Sequence, residues 1–440
     1  MTSTNLSNID IQLKFPHLDE MGQDAKFIRS WVLNKLYQVQ GKSFVNKCLE
    51  PSKQDFSTAA SLDAQEEAQY ILYGNYAKNA EGQIEVINQE LLKKQKTVLS
   101  HMIKEFGSAI LSGKSVMSIS LPVGIFEPRS QIEREAHNLL YAPYFLGKAA
   151  NIDDTLEQFK FTVTHFIASM HITINPQKPF NPVLGETFQG MIGDNPVYGE
   201  QISHHPPITA IQLLGKGFKV QGSTEFGAAL SMNSVKSKKI GFLNVSYEGS
   251  GALIRVQYPG SIMNGTSMGK RTFNFTGKFY IFDLENRYYC EVDFDNNSSS
   301  LLSMFSSKKT QVAQDFFQGG IWKIKDSFAE KLRQQTLKFQ ELDLKFKEKD
   351  HAIEKLETIK GNWMENLFFN DQMYWSIGLP WPSKLQFIDN ALPSDSNFRL
   401  DVLYLRIKDE VKAQEYKKII EEVQRADRGL REQEKNKCKI

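Results

Sequence analysis

Cysteine is scarce. The chain has three, Cys48, Cys290 and Cys438, odd in number and far apart over 440 residues. That pattern excludes a disulfide framework, offers no zinc-ligand spacing, and points to a reducing cytosol. Long apolar runs are missing as well: nothing approaches the ~18 residues a membrane-spanning helix requires. The stretch from Met1 to Phe15 lacks the basic-then-apolar order of a secretory signal. Charge of one sign is also lacking. Lys and Arg total 53 against 51 Asp and Glu, a net charge of +2, without the basic surplus of a nucleic-acid binder. No Walker loop, H-E-x-x-H helix or G-x-S-x-G elbow is expected, so neither catalysis nor a cofactor is anticipated.

What remains is a composition typical of a globular protein, 41% hydrophobic and 24% charged, long enough for one large domain or two to three ordinary ones. Its most unusual stretch is Glu200-Gln201-Ile202-Ser203-His204-His205-Pro206-Pro207. A residue before proline is pushed out of the helical region, and the two prolines remove two backbone donors. His204 and His205 therefore sit in a stiff, non-helical segment. Their ring nitrogens are able to donate to an anion or ligate a metal. Neighbours in an extended segment point to opposite sides. For both rings to reach one ligand, the chain must turn at Ser203–His204. Ser203 beside His204 is no catalytic pair, because a nucleophile, base and orienter meet in space rather than in sequence.

Around this stretch the pattern is strand after strand. Ile208–Leu214, Phe218–Gly222, Ile240–Tyr247, Ala252–Tyr258, Thr272–Ile281 and Tyr288–Phe294 are rich in β-branched and aromatic residues and bounded by turn formers. Such a meander predicts a large antiparallel, barrel-like sheet, able to enclose a ligand cavity. Before it, a helix rich in Glu and Arg runs to about Ala149, and Phe159 to Asn175 reads as an apolar helix or strand. Val98, Leu99, Met102, Ile103, Phe106, Ile110 and Leu111 form one helical stripe. Residues 325–360 are strongly charged, with Leu342, Phe346, Ile353 and Leu356 near heptad spacing. They predict an amphipathic helical insertion, read first as a solvated surface helix and second as a docking surface for a protein partner, with a return to strand at Gly361-Asn362-Trp363. A charged helix follows from Asp409 to about Lys437.

Glu200–Pro207 resembles the E-Q-V-S-H-H-P-P fingerprint of the oxysterol-binding-protein-related lipid-transfer family, differing only at Ile202. Lys178-Pro179-Phe180-Asn181-Pro182-Val183-Leu184-Gly185-Glu186 resembles that family's K-P-x-N-P-x-L-G-E motif. Pro393 to Asp401 is similar to its P-T-D-S-R-L-R-P-D, with Asn397 in place of Arg and Leu400 in place of Pro. The likeness covers residues 88–440 apart from the insertion. It implies a short member without pleckstrin-homology or ankyrin modules. Residues 1–86 would be a partly disordered extension and residues 87–440 a lipid-binding domain of the α+β class. A sheet around a lipid tunnel, a helical lid over about 88–115 and C-terminal helices complete the expectation. Carried over by position, the resemblance assigns a phosphatidylinositol 4-phosphate headgroup site to Lys178, Asn181, His204, His205, Lys417, Glu421 and Arg425. The last three match the family's K-x3-E-x3-R spacing. The Val98–Leu111 stripe reads either as a helix packed on the core or, by that resemblance, as a lid that also touches a bilayer. The implied function is exchange of phosphatidylinositol 4-phosphate for a sterol or phosphatidylserine at membrane surfaces or contact sites, from the cytoplasm. A lipid sensor signalling through 325–360 is the alternative.

Overall fold

The computed structural model describes residues 76–98, 120–174, 177–231, 233–295, 313–342, 345–377 and 380–437. These fall into two compact units, one ending at Phe387 and the other running from Ile388 into the C-terminal helix.

The first unit is built on a 17-stranded sheet. Its order follows from short turns that join successive antiparallel strands. Leu385–Phe387 pairs with Thr187–Ile192, which pairs with Asn195–His204. The ladder continues through Pro207–Gly215, Phe218–Leu230 and the long strand Ser234–Tyr247. There the sheet branches. Leu253–Gln257 takes the Leu243–Ser246 end of that strand, and Gly260–Asn264 takes the Ser234–Ser237 end. One branch runs on through Lys278–Asp283, Tyr288–Asp293, Phe316–Ile324, Ala352–Asn362, Asn366–Phe369 and Gln372–Ser376. The other runs through Thr272–Thr276 to Ile84–Val86 and Tyr76–Lys78. Residues 76–86, expected to belong to the N-terminal extension, are therefore sheet strands. The predicted strand Thr272–Ile281 is two strands. Gly277, at φ 75°, breaks it in a conformation that side chains avoid.

The helix Thr155–Ser169 lies in the main core. Asp154 caps it, accepting from the Leu156 and Glu157 amides at 2.9 and 3.2 Å. Every residue from Gln158 to Ser169 is buried. Its buried hydroxyls are satisfied within the helix, Thr162, Thr164 and Ser169 each donating to the carbonyl four residues before. Phe159, Phe161 and Phe166 meet Tyr288, Tyr374 and Phe279 on the surrounding strands. The Glu/Arg-rich stretch before it is two helices, Gln131–His137 and Ala142–Ala149.

The expected helical insertion over 325–360 is not one helix. Helix covers Asp326–Thr336, with one further turn at Glu348–His351, and strand begins at Ala352. Phe328 and Leu332 pack with Phe282, Tyr289 and Trp322 in a second cluster. Leu342 and Phe346 join that cluster from outside the helix, and the buried Gln257 amide accepts the Leu342 N–H at 2.8 Å. Tertiary contacts, not a heptad, place these residues. Ile353 is exposed, whereas Ile359 is buried on the strand. Lys and Glu on the outer face disguise a strand as a charged helix. Gly361–Trp363 consequently ends that strand rather than starting one.

In the second unit, Leu400–Arg406 packs on the helix Glu410–Lys437, with Tyr404 stacked on Tyr416 at 5.2 Å and 8°. Asp395 caps the preceding turn by accepting the Asn397 amide at 2.9 Å, and Arg399 pairs with Asp401 at 2.7 Å.

Candidate lipid site

The Lys178–Glu186 turn begins as a short strand paired in parallel with Phe126–Ser130. Prolines 179 and 182 withhold two backbone donors, and Gly185 takes φ 79°. The buried Glu186 holds the turn closed. Its carboxylate accepts from the Val183 amide at 2.9 Å and from the Ser130 hydroxyl at 2.5 Å. Gly185 N–H donates to the Gln201 carbonyl, and the Gln201 N–H donates back to the Glu186 carbonyl, both at 2.9 Å. The two sequence motifs are thus sewn together by their backbones. Lys178 Nζ reaches Asn181 Oδ1 at 2.5 Å and lies 5.0 Å from the Phe126 ring centroid.

The histidine pair is presented by a hairpin. Asn195–His204 pairs with Pro207–Gly215, with an irregularity between Gln201 and Ser203 and a two-residue turn at His205–Pro206, whose peptide is cis. Buried Gln201 stabilises the irregularity, donating to the Ser203 carbonyl at 2.7 Å and accepting from the Thr209 hydroxyl at 2.6 Å. The turn lies at His205–Pro206, beyond the Ser203–His204 position expected from sequence, and the His204 and His205 rings come to 4.5 Å. Strand alternation, which would separate them, is broken where it matters.

Lys178, Asn181, His204 and His205 line one cavity of about 380 Å³. Much of its remaining wall is apolar, including Leu121, Ile125, Met170, Leu230, Phe273 and Phe275. A charged stretch of wall went unassigned in the sequence. Glu127, Arg134, Glu135 and Lys239 line the cavity, and all but Lys239 are buried. Arg134 lies 3.4 Å from Glu127, and Lys239 lies 2.7 Å from Glu135. The i, i+4 spacing of Gln131 and Glu135, bonded at 2.7 Å, was the available signal. Burial holds the Arg271 guanidinium below its usual range, and it bonds Gln95 on the helical stretch 89–98. Val98, at the end of that stretch, lines the cavity. The other predicted lid residues, Leu99, Met102, Ile103, Phe106, Ile110 and Leu111, lie outside the described residues.

Lys417, Glu421 and Arg425 belong to the second unit. Lys417 is buried and donates to Glu421 at 2.5 Å, while Arg425 stands 4.0 Å from the other carboxylate oxygen. Glu421 holds two cations on one helix face, as i, i+4, i+8 spacing requires. Against expectation, Gly265-Thr266-Ser267-Met268-Gly269 does carry G-x-S-x-G spacing. It joins two paired strands, whereas a nucleophile elbow joins strand to helix.

The sequence profile described as Oxysterol-binding protein matches residues 107–440. The chain belongs to the oxysterol-binding protein family. It is 31% identical over 369 residues to Oxysterol-binding protein 9 of Dictyostelium discoideum, covering 82% of this chain and 81% of that one. Among solved structures, the Osh3 ORD of Saccharomyces cerevisiae in complex with PI(4)P matches with a TM-score of 0.55 at 21% identity, over 76% of this chain and 84% of that one. The Osh1 ORD domain in complex with cholesterol matches with a TM-score of 0.57 at 19% identity, over 87% and 90%. For this oxysterol-binding protein family member, these structures establish the fold. No helix among the described residues is long and apolar enough to cross a membrane.

Proposed function

We propose that this protein carries lipid between membranes, extracting phosphatidylinositol 4-phosphate from one and exchanging it for a second lipid, a sterol or phosphatidylserine. The observation behind this reading is that Lys178, Asn181, His204 and His205, from two separate turns, line a single cavity with a largely apolar wall. Converging cationic donors suit a phosphate, because charge-assisted bonds to phosphate are strong. An apolar cavity suits acyl chains or a sterol body. Lys417, Glu421 and Arg425 complete the proposed headgroup site by family position. The protein would work from the cytoplasm, peripherally on membranes, and return its cargo chemically unchanged. The stripe from Val98 onward is the proposed lid. A sensor signalling through 325–360 has less support, since the helix there spans only Asp326–Thr336 and buries Phe328 and Leu332.

The test is transfer between donor and acceptor liposomes. Transfer of the second lipid should accelerate when the acceptor contains phosphatidylinositol 4-phosphate, and that lipid should move the opposite way. Binding without transfer would favour the sensor. Recovery of a hydrolysed headgroup would sink the carrier reading.

A further inference from the structure

The loop Gly265–Gly269, between the strands Gly260–Asn264 and Thr272–Thr276, is held by its backbone and not by its tip. Asn233, just before the strand Ser234–Tyr247, grips one side. Its Oδ1 accepts the Ser267 and Met268 amides at 3.0 and 2.9 Å, and its carbonyl accepts the Thr266 amide at 3.3 Å. Arg271 grips the other side. Its buried guanidinium donates to the Gly265 and Thr266 carbonyls, both at 3.1 Å, and to Gln95. The Val86 amide in turn donates to the Arg271 carbonyl at 2.8 Å. Gly265 and Gly269 take φ 70° and 81°, which lets the chain reverse over so short a span. Out of this braced loop Met268 projects, 70% exposed. Ile87, at the end of the adjoining strand Ile84–Val86, is exposed as well. Lys270, two residues from the tip, is matched by Glu85 at 2.9 Å. Thr266 and Arg271 line the cavity with Gln95, Val98 and Leu230, so the loop runs from cavity wall to open solvent.

A lone exposed methionine carries no meaning on most surfaces. Here the backbone around it does. A segment that enters the apolar layer of a bilayer must bring its backbone groups already paired, because no water meets them there. The amides of residues 266–268 and the carbonyls of 265 and 266 are taken by Asn233 and Arg271. What the loop offers outward is a flexible, apolar thioether, which fits an irregular apolar boundary. A stable protein partner needs a contact of about 800 Å² per side, and two side chains offer far less. A nucleic acid needs open cations, whereas Lys270 is paired. A bilayer needs only a small apolar insertion beside the opening through which its lipid passes. We propose that the loop Gly265–Gly269 docks this edge of the cavity on a lipid bilayer, inserting Met268 at the boundary between headgroups and acyl chains, with Ile87 on the adjoining strand end. This contact is separate from the stripe that begins at Val98. It rests on the lipid-carrier reading and names where that carrier touches its membranes.

The experiment uses the full chain and reads two quantities. One is the fraction of protein that floats with vesicles of phosphatidylcholine and phosphatidylglycerol, which hold no proposed cargo. The other is the rate of phosphatidylinositol 4-phosphate transfer as the concentration of acceptor vesicles rises. Met268→Asp should lower vesicle partition about tenfold, the worth of burying one methionine. Ile87→Asp should act in the same direction, about threefold. Met268→Trp should raise partition about threefold, because an indole favours the membrane interface. Both positions are exposed, so the melting temperatures should match the wild type. In transfer, Met268→Asp should be slow at low acceptor concentration and regain the wild-type maximum at high concentration, since docking and not cargo retention is impaired. Equal partition of the wild type, Met268→Asp and Met268→Trp overturns the docking loop and turns the exposed tip towards a protein partner. A loss of transfer that no vesicle concentration restores also overturns it. A wild type that floats through Met268 yet moves no lipid would instead defeat the carrier reading and uphold the loop.

Discussion

His165 and His171 lie inside the main core, whereas His204 and His205 stand on a hairpin turn that lines a cavity. The first pair is carried by a helix and the 3-10 turn that continues it, buried on all sides. Burial drives the His165 ring down to about 3 and the His171 ring to about 4, and the Tyr141 and Ala168 carbonyls offset only part of that push. His171 stacks on Trp375 at 5.4 Å and 20°, as an aromatic packing element. The second pair follows a strand irregularity and precedes two prolines, so His204 ends its strand and His205 stands in the turn beyond it. The same side chain is a core ring in one place and a cavity-lining ring in the other. Backbone context decides which.

The largest effect should come from breaking the buried region. Phe166 is fully buried and meets His165 at 4.7 Å and Phe279 at 6.5 Å. Phe166→Ala should cost about 3–5 kcal/mol of stability, read by denaturant titration. The hairpin pair should behave in the opposite way. Replacing His204 and His205 together with Ala should weaken phosphatidylinositol 4-phosphate binding by about a hundredfold or more, while the melting temperature stays near wild type. A variant that binds normally would remove the histidines from the headgroup site.

Acidification sharpens the contrast. His165 and His171 stay neutral in the fold below the pH at which they protonate when unfolded. Above about pH 6.5 they contribute no difference. As pH falls below that value the unfolded chain binds more protons, so stability falls, until the folded rings themselves titrate near pH 3 to 4. At pH 5.5 the loss should be about 1.4 kcal/mol for each histidine. His165→Phe should flatten the pH dependence by about half, and an unchanged slope would place the proton uptake elsewhere. The smallest effect concerns the second unit. Glu421→Ala should weaken phosphatidylinositol 4-phosphate binding about threefold, although it removes a negative charge, because it releases Lys417 and Arg425 from alignment. Tighter binding at fixed salt would leave Glu421 as a solvated residue outside the site.

Much of this was legible in the chain. The Lys178–Glu186 turn and the His204–Pro207 turn are written in proline and glycine, whose restrictions act on their immediate neighbours. The strands from Pro207 onward announced themselves through β-branched and aromatic residues. Among the stretches misread, two show why. Ala352–Asn362 looked helical because Lys and Glu crowd its outer face. Gly277 was passed over as the break between strands that go to different partners. The braces were not read either. Glu186 and Gln201 stood inside recognised motifs, but their buried hydrogen bonds reach Ser130 and Thr209, and sequence position alone does not reveal such partners.

The sequence by itself determined the local geometry: that prolines keep the Lys178–Glu186 and His204–Pro207 stretches out of helix, and that a Lys, Glu, Arg stripe follows one helix face. These depend on a few adjacent residues and on covalent stereochemistry. Only the tertiary structure decided the rest. The sheet branches on Ser234–Tyr247 because two later strands compete for one long partner. Asn138 and Tyr258 share a cavity because a helix end and a strand end, 120 residues apart in sequence, close on the same space. Long-range pairing and exclusion of water set those distances, and neither is encoded in any one stretch of the chain.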